Sequence, residues 1–371
     1  MSFEPLKNSL NKQFYQSFFQ VWKSYDPNFN IEKMESSIFN KSWDQLELKE
    51  RTRSLTLNIH KQLPADFKKA SDLLIKILNK LAQLNHKVER YEYFFLPDYI
   101  EVFGQNHVDI SLDAIEQITK HISCEFAIRP FIIQDRKKVM GRMTKWSTHP
   151  HENIRRFASE GCRPKLPWGM ALKELIEDPS EILPILENLK SDDSLFVRKS
   201  VANNLNDISK DHPELVLKIA KKWQNFSDNT NWIIKHACRT LLKKGNQQAM
   251  ELFGYSNNNA LEISSINLAS KEIKMGDHLS FKFTLKNLSK ANILVRLEYG
   301  CYFLKSNGKQ NRKVFKISEK ALKPLEKITI QKNHSIIPIS TRKYYAGEQA
   351  LSLIVNGKEI EKLKYLLQIP N

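Results

Sequence analysis

Ile154-Arg155-Arg156-Phe157-Ala158-Ser159-Glu160 and Val197-Arg198-Lys199-Ser200-Val201-Ala202-Asn203 are two copies of one pattern, and Ile234-Lys235-His236-Ala237 is a weaker third. In each, a β-branched residue precedes basic residues and then a small one. Arg155 and Arg198 are 43 residues apart, and Arg198 and Lys235 are 37 apart. Self-similarity at a spacing near 40 residues marks a helical unit stacked on copies of itself. The plain alternative is that these residues only pack neighbouring helices.

The flanking sequence supports stacked helices. Apolar residues recur at helical spacing over roughly 110–123, 130–146, 151–160, 167–177, 179–190, 194–209, 213–226 and 230–244, separated by short turns. An earlier helix is expected after Ser42, with Gln45 completing a capping box. Another is expected from Pro64, with Phe67, Leu73, Leu74, Ile77, Leu78 and Leu81 on one face. No strand pattern interrupts this series, which excludes βαβ architecture. The reading is a mainly α, HEAT-like α-solenoid.

The period changes further on. His278-Leu279-Ser280-Phe281-Lys282-Phe283-Thr284-Leu285-Lys286 alternates polar with apolar, as a half-buried strand does. Ile293, Val295, Leu297 and Tyr299 keep period two, as do Leu351, Leu353 and Val355. Asn307-Gly308 and Asn356-Gly357 are hairpin signals of the type I′ kind. About seven strands over roughly 110 residues predict an all-β, immunoglobulin-like sandwich, although the Cys–Trp–Cys core of immunoglobulin domains is missing.

Charge places the boundary. The 371 residues hold 58 Lys+Arg against 41 Asp+Glu, a net +17. Residues 259–371 carry 20 against 9, while the first 258 carry 38 against 32, and all six Trp lie in that first part. With Asn257-Asn258-Asn259 as a polar linker, two domains are expected, 1–258 and 259–371. So basic a chain points to a polyanion, nucleic acid ahead of a membrane surface. The lysines of the second domain read as a phosphate clamp or, more plainly, as a soluble face. Four scattered cysteines with no metal-ligand spacing argue against a disulfide scaffold and a zinc module. Met1-Ser2-Phe3-Glu4-Pro5 opens no apolar leader, and no apolar run approaches the roughly 20 residues of a span, so a cytoplasmic location without membrane contact is expected.

Three acids stand where they cost stability. Gly161, Pro164 and Pro167 end the helix that carries Glu160, which sets a carboxylate at the negative end of the helix dipole. The next loop adds Arg163, Lys165 and Trp168, two cations and an indole suited to a sugar-phosphate and a base. Asn203-Asn204-Leu205-Asn206-Asp207 puts weak helix formers inside a good helix, with Asn203 and Asp207 on one face. A solvated polar face would account for that run as well. Glu125 precedes Pro130 at an expected helix boundary.

Glu125-Phe126-Ala127-Ile128-Arg129-Pro130, Ala158-Ser159-Glu160-Gly161-Cys162-Arg163-Pro164 with Leu166-Pro167-Trp168, and Val201-Ala202-Asn203-Asn204-Leu205-Asn206-Asp207 resemble the signature blocks of AlkC-type DNA alkylation repair proteins. Asn307-Gly308-Lys309, Lys313-Val314-Phe315-Lys316 and Tyr344-Tyr345-Ala346-Gly347 resemble the subgroup with an immunoglobulin-like tail. The resemblance implies a HEAT-like solenoid related to AlkD. It also implies excision of alkylated, positively charged bases from double-stranded DNA by hydrolysis of the N-glycosidic bond. Glu125, Glu160 and Asp207 would then be the catalytic acids. Arg129, Arg163, Lys165, Trp168, Arg198, Asn203 and Asn206 would contact DNA.

A cationic base leaves without a general acid, so what needs help is the oxocarbenium-like sugar and the attacking water, both served by carboxylates. A monofunctional glycosylase acting as a monomer without cofactor or metal is the expectation. Two other readings stay open: a noncatalytic HEAT-repeat protein that binds damaged or branched DNA, and a protein-binding solenoid.

Overall fold

The structure is a computed structural model that describes residues 4–255, 259–339 and 342–369. Among these, sixteen α-helices precede eight strands. The helices are α1 (Lys12–Tyr25), α2 (Ile31–Ile38), α3 (Leu48–His60), α4 (Phe67–Gln83), α5 (Phe95–Phe103), α6 (Val108–Thr119), α7 (Ile128–Gln134) and α8 (Arg136–Trp146). They continue with α9 (Glu152–Gly161), α10 (Lys173–Glu177), α11 (Leu183–Leu189), α12 (Leu195–Ile208), α13 (Pro213–Trp223), α14 (Asp228–Ala237), α15 (Arg239–Lys243) and α16 (Gln247–Leu252).

Two compact units result: residues 1–212 with 223–237, and residues 213–222 with 238–371. The second unit therefore takes in α15 and α16, which the shift in composition assigns to the first domain. Asn257 and Asn258 of the expected linker lie outside the described residues. A backbone approach explains why α15 keeps company with strands. A Cβ on Gly245 would meet the Gly357 carbonyl oxygen at 2.6 Å, so these positions hold glycine, both at positive φ.

In the first unit, α9 and α12 pack side by side in the same direction. Asn204 Nδ2 donates to the Ser159 carbonyl (2.8 Å), and Arg155 pairs with Asp192 across 37 residues. The 43-residue repeat is thus a packing register. Its basic residue has a local task too. Arg155 Nη1 donates to the carbonyls of His149 and Pro150, and Arg198 Nη1 donates to those of Asp192 and Asp193. Each arginine ties down the loop five and six residues before it, which is why the pattern repeats.

Several helix limits differ from expectation. Ser42 caps nothing: Trp43–Gln45 is a 3-10 turn, and the capping box is formed by Glu47 and Glu50 at the start of α3. The span 130–146 is two helices broken at Asp135, whose side chain caps Lys138 N. Pro130 sits in the first turn of α7, where its missing N–H costs nothing. The span 167–177 is loop until α10, because Pro164 and Pro167 deny the helix its donors.

The strands are β1 (Leu261–Leu268), β2 (Glu272–Lys274), β3 (His278–Asn287), β4 (Ile293–Leu304), β5 (Gln310–Leu322), β6 (Lys327–Ser335), β7 (Gly347–Val355) and β8 (Lys358–Gln368). They form sheets ordered β1-β3-β6 and β2-β8-β7-β4-β5, antiparallel except for the β2–β8 pair. Phe281, Phe283 and Leu285 face Val295, Leu297, Leu351 and Leu353 in the core between them. Asn356 and Gly357 both have positive φ, as a type I′ turn requires. Of Asn307 and Gly308, only the glycine does (φ 74°). Lys305 and Lys309 pair around a three-residue loop there, so that hairpin is the bulged kind rather than type I′.

Candidate active site

Glu160 lies in the last turn of α9 and Asp207 in the last turn of α12, and the α9–α12 register brings them to one guanidinium. Arg163, in the loop after α9, donates through Nη1 to Glu160 Oε1 (2.7 Å) and through Nε to Asp207 Oδ2 (2.8 Å). The remaining oxygens are also satisfied: Ser200 Oγ donates to Glu160 Oε2 (2.6 Å) and Lys210 Nζ to Asp207 Oδ1 (2.8 Å). Glu160, Asp207 and Arg163 are all buried. Burial pulls the Arg163 guanidinium down, but the two carboxylates outweigh it and hold its pKa above the ordinary value.

Glu125 joins through Arg156. The Arg156 guanidinium binds Glu125 Oε2 with Nη1 and approaches Glu160 Oε1 with Nη2 at 3.5 Å. Ser123 Oγ also donates to Glu125 Oε2. Among the described residues, Glu125 Oε1 accepts no hydrogen bond, and its side chain is more exposed than those of Glu160 and Asp207. The three acids expected from sequence thus stand in one row, Glu125–Arg156–Glu160–Arg163–Asp207, with one open carboxylate oxygen at its end.

The loop residues separate. Trp168 is 85% exposed and has φ 63°, a left-handed backbone that a bulky residue rarely adopts. A core role for this indole is thereby excluded. Lys49 Nζ donates to its carbonyl (3.3 Å), and Lys165 pairs with Asp211 at the surface (2.6 Å).

Two expected DNA contacts, Arg129 and Asn206, are corrected by burial, and a third, the half-buried Arg198, by its local hydrogen bonds. Arg129 is fully buried and donates to main-chain carbonyls instead of facing solvent. Arg198 is spent on the loop before α12. Asn206 is buried, as are Asn204 and Asp207, so the run 203–207 is a packed face and not a solvated one; Asn203 is half-buried. Sequence reasoning missed Arg156, Ser200 and Lys210. Two of them were in view, since Arg156–Glu160 is an i,i+4 pair and Asp207–Lys210 an i,i+3 pair.

The chain is also similar to known proteins. A family model described as "DNA alkylation repair enzyme" matches residues 107–241, which contain all three acids. A second, described as the C-terminal Ig-like domain of YhaZ, matches residues 262–369. The chain is 39% identical to the "Uncharacterized protein YhaZ" of Bacillus subtilis, over 97% of this chain and 98% of that one. Its fold superposes on Pseudomonas fluorescens alkylpurine DNA glycosylase AlkC, solved bound to DNA containing an abasic site analog. That match has a TM-score of 0.92 and 32% identity, covering 98% of this chain and 100% of that one. The chain belongs to the AlkC-type DNA alkylation repair family. In this AlkC-type protein the HEAT-like helices carry the acids and the immunoglobulin-like sandwich follows them. No helix among the described residues is long and apolar enough to cross a membrane.

Proposed function

We propose that this protein is a monofunctional DNA glycosylase that excises N-alkylated, cationic bases from duplex DNA by hydrolysis. The observation that carries the reading is the row of three carboxylates with its open end at Glu125 Oε1. A cationic base departs as a neutral molecule, so the transition state concentrates positive charge on the sugar. A carboxylate fixed beforehand stabilises that charge without reorganising, and an open oxygen can orient the attacking water. Glu125 is assigned the water and the sugar's nearest charge. Glu160 and Asp207, held by Arg163, supply the fixed field behind it.

The proposed DNA contacts are Lys165, Trp168 and the half-buried Asn203; Arg163, buried between Glu160 and Asp207, orders the acids instead. Trp168 offers a stacking face. The AlkC relative bound to abasic DNA supports a product-like complex of this kind. The sandwich, with 20 Lys+Arg against 9 Asp+Glu, is proposed to hold phosphates, and the protein to act as a monomer in the cytoplasm. Among its cations Lys313, Lys332 and Lys343 have no carboxylate partner within the described residues.

One feature favours the second reading, a noncatalytic binder of damaged DNA. Arg156, Arg163 and Lys210 neutralise the three acids, so a binder would not suffer the repulsion that bare carboxylates would impose on phosphates. The deciding experiment is incubation with methylated duplex, followed by mass spectrometry of the supernatant. Released methylated bases establish the glycosylase. Tight, salt-sensitive binding without release establishes the binder.

A further inference from the structure

Among the described residues, Arg129 is the largest fully buried charged side chain. Among the described residues no carboxylate comes within ion-pair range of it. Its hydrogen bonds go to carbonyl oxygens alone, while Asp207 and Glu125 act on it only from beyond contact. Nη1 donates to Gly161 (3.1 Å) and Arg163 (3.0 Å), Nε donates to Met170, and Nη2 has no partner. Burial pulls its pKa down to about 10, which leaves it charged at neutral pH. A buried cation without a counter-ion is costly, and nothing in helix packing requires it, since an apolar side chain would fill the same volume.

The three carbonyls explain the placement. Gly161 ends α9, Arg163 follows two residues later, and Met170 lies on the returning limb of the same loop. Between them the chain has no regular secondary structure. Its own main-chain bonds include Gly169 N to Leu166 O and Leu172 N to Pro164 O. Gly169 packs on the arginine itself: a Cβ there would lie 3.4 Å from Arg129 Cδ and Nε and 3.1 Å from Leu166 Cδ2. One planar fork therefore ties both ends of the loop that presents Arg163 to Glu160 and Asp207 and Trp168 to solvent.

We infer that Arg129 is a positioning residue, a buried staple that holds the 161–170 loop so that Arg163 and Trp168 are presented in working geometry. The inference rests on the glycosylase reading for its consequence, but the staple itself can be tested apart from activity. Arg129→Lys keeps the charge and cannot span three carbonyls. In full-length protein, the Lys165–Leu166 bond should be cut by trypsin at least about tenfold faster in Arg129→Lys than in wild type, with the rest of the chain unchanged, because only the loop opens. Base release from saturating methylated duplex should fall about 100-fold while half-saturation changes little, as for a misplaced reacting group. Should that variant fail to fold, hydrogen exchange on the wild type decides: the Gly169 and Leu172 amides should be protected well beyond free-loop rates. Unchanged cleavage at Lys165 or freely exchanging amides would overturn the staple, and a loosened loop with wild-type base release would overturn its positioning role. A wild type that releases no base would instead defeat the glycosylase reading, and the proteolysis would still decide whether Arg129 holds the loop.

Discussion

Arg163 in the helical unit and Arg296 in the sandwich are placed alike, each buried and each spanning two carboxylates. Arg296 binds Glu298 (2.5 Å) and Glu319; Glu298 is wholly buried, and its Oε2 has no partner. Around Arg163 every carboxylate oxygen is satisfied, by Ser200 on one acid and Lys210 on the other. The difference lies in what comes next. The Arg163 network continues through Arg156 to an open carboxylate, and the loop that supplies Arg163 carries an 85% exposed indole. The Arg296 network also reaches the surface, at Glu319, but both Glu319 oxygens are paired there, Oε1 with Arg296 and Oε2 with Lys316. A buried arginine between two acids is thus no mark of a site by itself; an accessible carboxylate oxygen without a partner is.

The largest expected effect tests the sandwich network. Glu298→Ala leaves Arg296 half-compensated and should cost about 3–5 kcal/mol of unfolding free energy, read by denaturant titration. Base release per folded molecule should stay at the wild-type rate, and a drop would mean that the two networks are not separate in function. Next comes Glu125→Gln at the open end. It should slow base release at least about 100-fold, roughly 2.7 kcal/mol, with DNA affinity kept and the thermal midpoint nearly unmoved. A wild-type rate in this variant would remove the open oxygen from the mechanism. Trp168→Ala follows, weakening DNA binding by about 1–3 kcal/mol through lost stacking. Because the indole is solvated, the melting temperature should not change, and a loss of stability would argue that the ring packs against the protein.

How much of this was legible in the sequence depends on the range of the interaction. Phe157 and Ser200 mark a repeat because helices 43 residues apart pack in register, and that register carried Glu160 and Asp207 to a common partner. Period-two alternation at Leu279, Phe281 and Phe283 foretold a buried strand face in the same way. Arg129 could not be read so. Its burial is decided by three carbonyls lying 32 to 41 residues downstream, and main-chain carbonyls leave no trace in residue identity. Arg198 misled for a related reason, since a basic residue that recurs on a helix face looks like a phosphate contact when it caps a loop. The shift in charge near residue 258 reports surface composition, whereas α15 and α16 group with the strands through a backbone approach at Gly245 and Gly357.

The smallest effect belongs to the sandwich alone and concerns pH. The His334 ring lies against Phe315 and Phe303, and Tyr299 OH shares a hydrogen bond with Nδ1 (2.9 Å). Burial first, then the cations Arg342, Lys332 and Lys313, lower its pKa from 6.5 to about 4. Folded protein therefore holds this proton more weakly than the unfolded chain does, and between those two values the unfolded state binds more protons. Stability should fall as pH drops through 6.5 toward about 4 and level off below, the opposite of a group whose folded pKa is raised. The ring is only part-buried, so solvent screening discounts the loss to about 1 kcal/mol. His334→Gln, which cannot take up the proton, should flatten that part of the profile. Equal pH slopes in the wild type and His334→Gln would show that another group carries the titration and that the cations around His334 do not bear on it.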